Sequence, residues 1–254
     1  MSELKGVIDS HCHLDFKQFD RDRSAVIERA MAAGVEMMIN SGIDIPTNRK
    51  SLELASKYPF IRATLGLNPN SLEDLSDRDL KAELDFIKEN ASRAVAVGEA
   101  GLDYYRCKNQ AARDRQIAVF RQVIDLAEEL DLPLVIHSRD AEQQALEMVR
   151  DKKKVVFHCY GGSLGTMKEA VGLGFYISLA TIVCRSGQHQ ILARNVPLDK
   201  LLVETDSPFL APGRGRNEPS NVLESVKLIA RIRNAEPSEI ARATSENARR
   251  IFGI

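Results

Sequence analysis

Short runs rich in Val, Ile and Leu alternate along the chain with longer segments of helical period. Eight runs read as strands: Val7 to Ser10, Met37 to Asn40, Ile61 to Leu67, Ala94 to Val97, Leu134 to Ile136, Val155 to Phe157, Phe175 to Leu179 and Leu201 to Val203. The segments between them behave as amphipathic helices. From Ala111 to Leu130, for example, Ile117, Phe120, Ile124, Ala127 and Leu130 fall on one stripe, while Arg113, Arg121 and Glu128 lie mostly elsewhere. Gly34 stands where a helix ending near Ala33 needs a C-terminal glycine, and Pro133 stops the long helix before the fifth strand. After the eighth run come a Gly/Pro/Arg loop, Ala211 to Ser220, and two more helical segments, Asn221 to Arg233 and Pro237 to Phe252.

No linker, low-complexity tract or short repeat interrupts this alternation, so one domain over 1–254 is expected. An open doubly wound sheet has the same periodicity as a closed (β/α)8 TIM barrel. The polar residues separate the two. His11 and His13, Asn68, Glu99, His137, His158 and Asp206 each follow an apolar run, and in a barrel such strand ends converge on one mouth. The expected fold is therefore α/β, a closed (β/α)8 TIM barrel.

A chain of 254 residues with 44% hydrophobic content supports one large core. Its 35 Lys and Arg balance 36 Asp and Glu, a net charge of -1, so any contact with nucleic acid must use a local basic patch. The four cysteines, Cys12, Cys107, Cys159 and Cys184, form no CxxC pair, which argues against a zinc ribbon or a disulfide framework and fits a reducing cytoplasm. Met1 to Gly6 carries Glu3 and Lys5 in place of a signal peptide's apolar run, and no stretch has the length of a membrane span.

His11 and His13, two residues apart at a strand end, point to one face and can reach one ion. Alone, the pair is equally well read as hydrogen-bonded histidines. However, four of the five histidines, His11, His13, His137 and His158, follow strand-like runs. Glu99 is a carboxylate among neutral strands and needs a cation if buried, and Asp206 repeats the pattern at the last strand, as a ligand or as proton acceptor from a bound water. Six N/O ligands exceed one zinc shell, whereas two ions about 3.5–4 Å apart can share them through a bridging carboxylate, for which Glu99 is the candidate. Such a donor set suits Zn or Mn better than Mg alone.

The strings DSHCHLD (Asp9 to Asp15), GEAGLDYY (Gly98 to Tyr105), IHSRDA (Ile136 to Ala141), FHCYGG (Phe157 to Gly162), ETDSPFLAP (Glu204 to Pro212) and RNEPSN (Arg216 to Asn221) occur in this order. Together they resemble the TatD-type deoxyribonucleases over almost the whole chain. The resemblance implies an amidohydrolase-like TIM barrel, divalent metals and hydrolysis of phosphodiester bonds in DNA, with a preference for the 3′ end. Carried over residue by residue, it makes His11, His13, Glu99, His137, His158 and Asp206 the metal ligands. In one partition the resemblance allows, His11 and His13 would hold one ion, Glu99 would bridge to a second held by His137 and His158, and Asp206 would lie on the first ion near the nucleophilic water. One departure stands out: Asn68, in Gly66-Leu67-Asn68-Pro69, occupies a place where many relatives carry histidine.

Around these residues Arg139 and Arg106 are candidates for phosphate contact and Tyr104 and Tyr105 for base stacking, although arginines in such loops are more often structural. Arg214 and Arg216 stand on the same footing. Cys12 and Cys159 are read as packed thiols, His189 as a surface residue, and Glu204 as a support for the ligands. The expected chemistry is metal-assisted hydrolysis of single-stranded DNA, with Glu99 and Asp206 catalytic. Two rivals share the site: an ester or amide hydrolase, such as an aminoacyl-tRNA deacylase, and a metal-binding protein without catalysis.

Overall fold

The computed structural model describes residues 4–254. The first three residues of the expected 1–254 domain, and of its charged N-terminal stretch, lie outside the described residues. Strand and helix alternate from the start: β1 (Val7–Cys12), α1 (Arg23–Ala33), β2 (Val35–Ser41), α2 (Ile45–Lys57), β3 (Ile61–Leu67) and α3 (Asp77–Asn90). The middle of the chain supplies β4 (Ala96–Asp103), α4 (Gln110–Glu129), β5 (Leu134–Arg139), α5 (Glu142–Met148) and β6 (Val155–Phe157). There follow α6 (Leu164–Gly172), β7 (Tyr176–Leu179), α7 (Gly187–Asn195), β8 (Leu201–Val203), α8 (Val222–Arg233) and α9 (Pro237–Phe252).

The eight strands are parallel and lie in sequence order from β1 to β8, which excludes the doubly wound sheet with its order reversal. The seam between β8 and β1 is fastened at the strand ends. The Asp206 N–H donates to His11 O (2.9 Å), the His13 N–H to Ser207 O (2.8 Å), and the Ser10 hydroxyl to Val203 O (2.9 Å). Asp9 adds a buried clasp, accepting from the Thr205 N–H (2.9 Å) and the Thr205 hydroxyl (2.6 Å). Burial nevertheless pushes the Asp9 carboxyl up to about 8.

One buried cluster joins Ile8, Ile39, Ala96, Val135, Val156, Tyr176 and Leu202. These come from seven different strands, so they can meet only inside the barrel. Ala248, Ile251 and Phe252 of α9 join them, and Ser245 accepts the Ile8 N–H (3.1 Å), which makes α9 the plug beneath the first strand. The outer helices bury the stripes expected of them: in α4, Phe120, Ile124 and Ala127 are buried, with Ile117 and Leu130 partly so. Gly34 caps α1 at φ 111°, a left-handed conformation that glycine adopts without a steric penalty.

A candidate metal centre at the mouth of the barrel

All six expected ligands converge at the C-terminal ends of the strands. His11 and Glu99 lie within β1 and β4 and His137 within β5, while His13, His158 and Asp206 follow β1, β6 and β8. Glu99 stands at the centre and divides its oxygens. Oε2 is 3.3 Å from His11 Nε2 and 3.5 Å from His13 Nε2, and Oε1 is 2.9 Å from His137 Nδ1 and 3.6 Å from His158 Nε2. Asp206 joins the first group, with Oδ1 3.4 Å from His13 Nε2 and 4.0 Å from His11 Nε2.

Each imidazole commits its outward nitrogen to the protein. His13 Nδ1 lies 2.8 Å from Ser41 O, His137 Nε2 3.1 Å from Asp103 Oδ2, and His158 Nδ1 3.2 Å from Glu204 Oε1, while His11 Nδ1 meets Ser41 Oγ at 3.1 Å. A main-chain carbonyl or a carboxylate can only accept, so in the neutral rings of His13, His137 and His158 the outward nitrogen carries the proton. The inward nitrogens are then lone pairs facing other lone pairs: His137 Nδ1 is 3.3 Å from His158 Nε2, and both face Glu99 Oε1. Only positive charge reconciles three acceptors at one point. A divalent cation fits such a cluster, and its histidines are already oriented by carboxylate and carbonyl partners.

The electrostatics make the same demand. Burial depresses the basicity of His13, but a hydrogen bond to Asp206 and the Glu99 charge outweigh it and lift this ring to about 9. Burial also opposes charge on His158, which Glu99 and Glu204 overcome. For Glu99 burial favours the neutral acid, yet His158, His11 and His137 hold it well below the usual carboxylate range.

Sequence reasoning missed Asp103 and Ser41. Asp103 lies four residues after Glu99 on the same strand, hence on the same face, and period-two counting along β4 could have found it. Besides His137 it accepts the Arg106 N–H (2.8 Å) and an Asn70 amide N–H (3.1 Å), and these bonds overcome burial and bring its carboxyl to about 2. Ser41 closes β2 and serves two histidines, one through its hydroxyl and one through its carbonyl. Asn68, at the place of the departure, donates to Glu99 Oε1 at 2.7 Å. Glu204 supports His158 as expected and also accepts the Cys159 N–H (2.8 Å).

Two expectations need correction, for Cys159 and His189, and Arg216 takes its structural reading. Cys159 is not a packed strand thiol: it follows β6 in a left-handed turn at φ 44° and is only half-buried, whereas Cys12 is wholly buried as expected. Arg216 is not free for substrate; its guanidinium forks onto Asp22 (2.8 and 2.6 Å), bonds Gln18 O (2.5 Å) and lies over the Phe19 ring. His189 is half-buried in α7 and bonded to Ser186 Oγ (2.8 Å), because its ring turns back onto its own N-cap. Arg139 and Tyr105 do form a unit at the mouth, with the guanidinium carbon 3.7 Å from the ring centre, and Arg106 is exposed beside them.

Residues 8–253 match the family model for TatD related DNase. The chain belongs to this family. It is 38% identical to the uncharacterized metal-dependent hydrolase YabD of Bacillus subtilis, over 98% of this chain and 99% of that protein. It is 32% identical to the 3′-5′ ssDNA/RNA exonuclease TatD of Salmonella typhimurium, over 98% and 99% of the two chains. In three dimensions it is similar to YjjV, a TatD homolog of Escherichia coli, with a TM-score of 0.90, 30% identity and 98% of both chains covered. These likenesses agree with the barrel fold and with the metal-binding character of the His/Glu clusters. No described helix is long and apolar enough to cross a membrane.

Proposed function

We propose that this member of the TatD family is a two-metal phosphodiesterase that removes nucleotides from the 3′ end of single-stranded DNA. The observation that carries the reading is the division of the Glu99 oxygens between two histidine pairs. His11, His13 and Asp206 would hold one cation and His137 and His158 a second, with Glu99 offering an oxygen to each. Bound divalent cations supply Lewis acidity at the phosphate and a lowered pKa for the attacking water, the two requirements of in-line phosphodiester hydrolysis. Asp206 keeps 15% of its side chain exposed against 4% for Glu99, so Asp206 is the group that takes the proton from the attacking water and returns it to solvent. Arg139 and Arg106 bind backbone phosphates and Tyr105 stacks on a base, giving the local positive charge that a chain of net charge -1 lacks globally. The exonuclease name of the Salmonella relative supports the 3′-to-5′ direction. The four free cysteines support a reducing, cytoplasmic setting.

With Mn or Mg supplied, one preparation is offered a labelled single-stranded oligonucleotide and an aminoacyl ester. Stepwise shortening of the oligonucleotide from its 3′ end, weakened by added salt, is expected; Arg139→Ala should raise KM with a smaller effect on kcat. Ester cleavage with the DNA left intact would transfer the site to acyl hydrolysis, and inertness toward both would leave a metal-binding protein.

Asp103→Asn should weaken divalent-metal binding by about 10–100-fold, the usual cost of losing a group that orients a ligating histidine. The His137 ring loses its charged acceptor, while the Arg106 N–H still finds the remaining oxygen and the Asn70 amide can turn to accept from the new NH2. Metal titration of the folded variant checks this, and unchanged affinity would deny Asp103 the role.

A further inference from the structure

We infer that Phe209 and Phe16 form a stacking corner that receives a nucleobase beside the scissile phosphate, on the His11/His13 side of the metal centre; this rests on the nuclease reading. Among the described residues Phe209 is one of three large hydrophobic side chains left exposed, at 45%, and Tyr105 is another. Tyr105 stands next to Arg139 at the end of β5. Phe209 stands by the opposite ligand group: its ring centre is 6.4 Å from that of His13, and Phe16 stacks on His13 at 4.6 Å. The Phe16 and Phe209 rings meet at 5.9 Å and 78°, so together they form an L-shaped wall, with one face for stacking and the other meeting an edge.

An exposed aromatic on a mobile loop would lose much of its binding energy to ordering; these two are fixed in advance. The Phe209 N–H donates to Asp206 O (2.9 Å), which ties its main chain to a proposed ligand. Its carbonyl accepts from the wholly buried Asn217 amide (2.6 Å), whose backbone N–H holds Pro208 O (3.0 Å). Thr181 secures the next residue through Leu210 O (2.8 Å). Across the corner, Arg23 fastens the other loop through Leu14 O (2.5 Å) and Phe16 O (3.2 Å).

The occupant follows from the neighbours. A phosphodiester placed at the six converging groups carries a nucleoside on each side, and a base has a flat apolar face of the kind a rigid phenyl ring accepts. Stacking of this sort is worth roughly 5- to 100-fold per base and is indifferent to sequence, as an exonuclease requires. A paired base could not turn out onto the wall without first being unpaired, so the corner favours single strands.

The test compares a labelled oligothymidylate with versions carrying an abasic tetrahydrofuran in place of the terminal or the penultimate 3′ base. In the wild type, one of the two abasic versions should lose roughly 5- to 100-fold in kcat/KM, mainly through KM. Phe209→Ala should impose a similar loss on the intact oligonucleotide, with the two losses failing to add when combined, and Phe209→Trp should restore stacking. Melting temperature and metal content report whether each variant is folded and loaded. Losses that add, or wild-type kinetics in Phe209→Ala, overturn the stacking corner alone. A wild type inert toward every oligonucleotide refutes the nuclease reading, and the corner falls with it.

Discussion

Glu99→Gln is expected to lower kcat by more than about 10²-fold, beyond what loss of a group that merely orients a ligand costs. The glutamine amide keeps one oxygen and replaces the other with an NH2 group, so it cannot present an anionic oxygen to both histidine pairs. Its shape is unchanged, and with its oxygen kept where the Asn68 amide donates to Glu99 Oε1, its NH2 faces the inward nitrogens of His11 and His13. Against the cost of burial, the histidines hold the Glu99 pKa well below its ordinary value, so its charge stabilises the metal-free fold, and the metal-free variant should stay folded but melt at a lower temperature. Steady-state kinetics beside a thermal melt check both halves. His189→Ala is the control, since that ring bonds Ser186, the N-cap of its own helix, and none of the six converging groups. Equal losses in the two folded variants would place the chemistry elsewhere.

The apolar runs located most strands well because a barrel buries both faces of each one. They failed most at β4, expected at Ala94 to Val97 and found at Ala96–Asp103. That strand carries Gly-Glu-Ala-Gly where an apolar run would continue, and the glycines are required by close approach. A Cβ on Gly98 would meet Val135 O at 2.3 Å, and one on Gly101 would meet His137 O at 2.1 Å. A functional strand thus hides from hydrophobic periodicity for the reason that makes it functional. The converging histidines and carboxylates were legible because each follows an apolar run in the sequence. Their supports were less so: Ser41 acts partly through a main-chain carbonyl, which has no signature in residue type, and Asp103 falls on a face that needed the true strand end to be counted. The fate of Arg216 was equally illegible, since its partner Asp22 is 194 positions away. Closure of the barrel, to which the polar strand ends pointed, is fixed by the strand order and the Asp206-to-His11 seam.

Metal removal is expected to have the other large effect. Chelator treatment should abolish hydrolysis, because in the proposed mechanism the residues at the mouth serve as ligands, proton acceptor and phosphate contacts, and none of them lowers the pKa of a water as a cation does. Activity should return when Mn, Mg or Zn is restored, and the stripped chain should keep its fold, held by the barrel core and the seam. The measurement that bears most directly on the central claim is the number of ions that the stripped, folded chain takes up, read by calorimetric titration with Mn or Zn and by elemental analysis after gel filtration. Two ions per chain in the wild type, falling to one or none in Glu99→Gln, is the predicted result. A folded wild type that binds one ion or none would contradict the two-metal site.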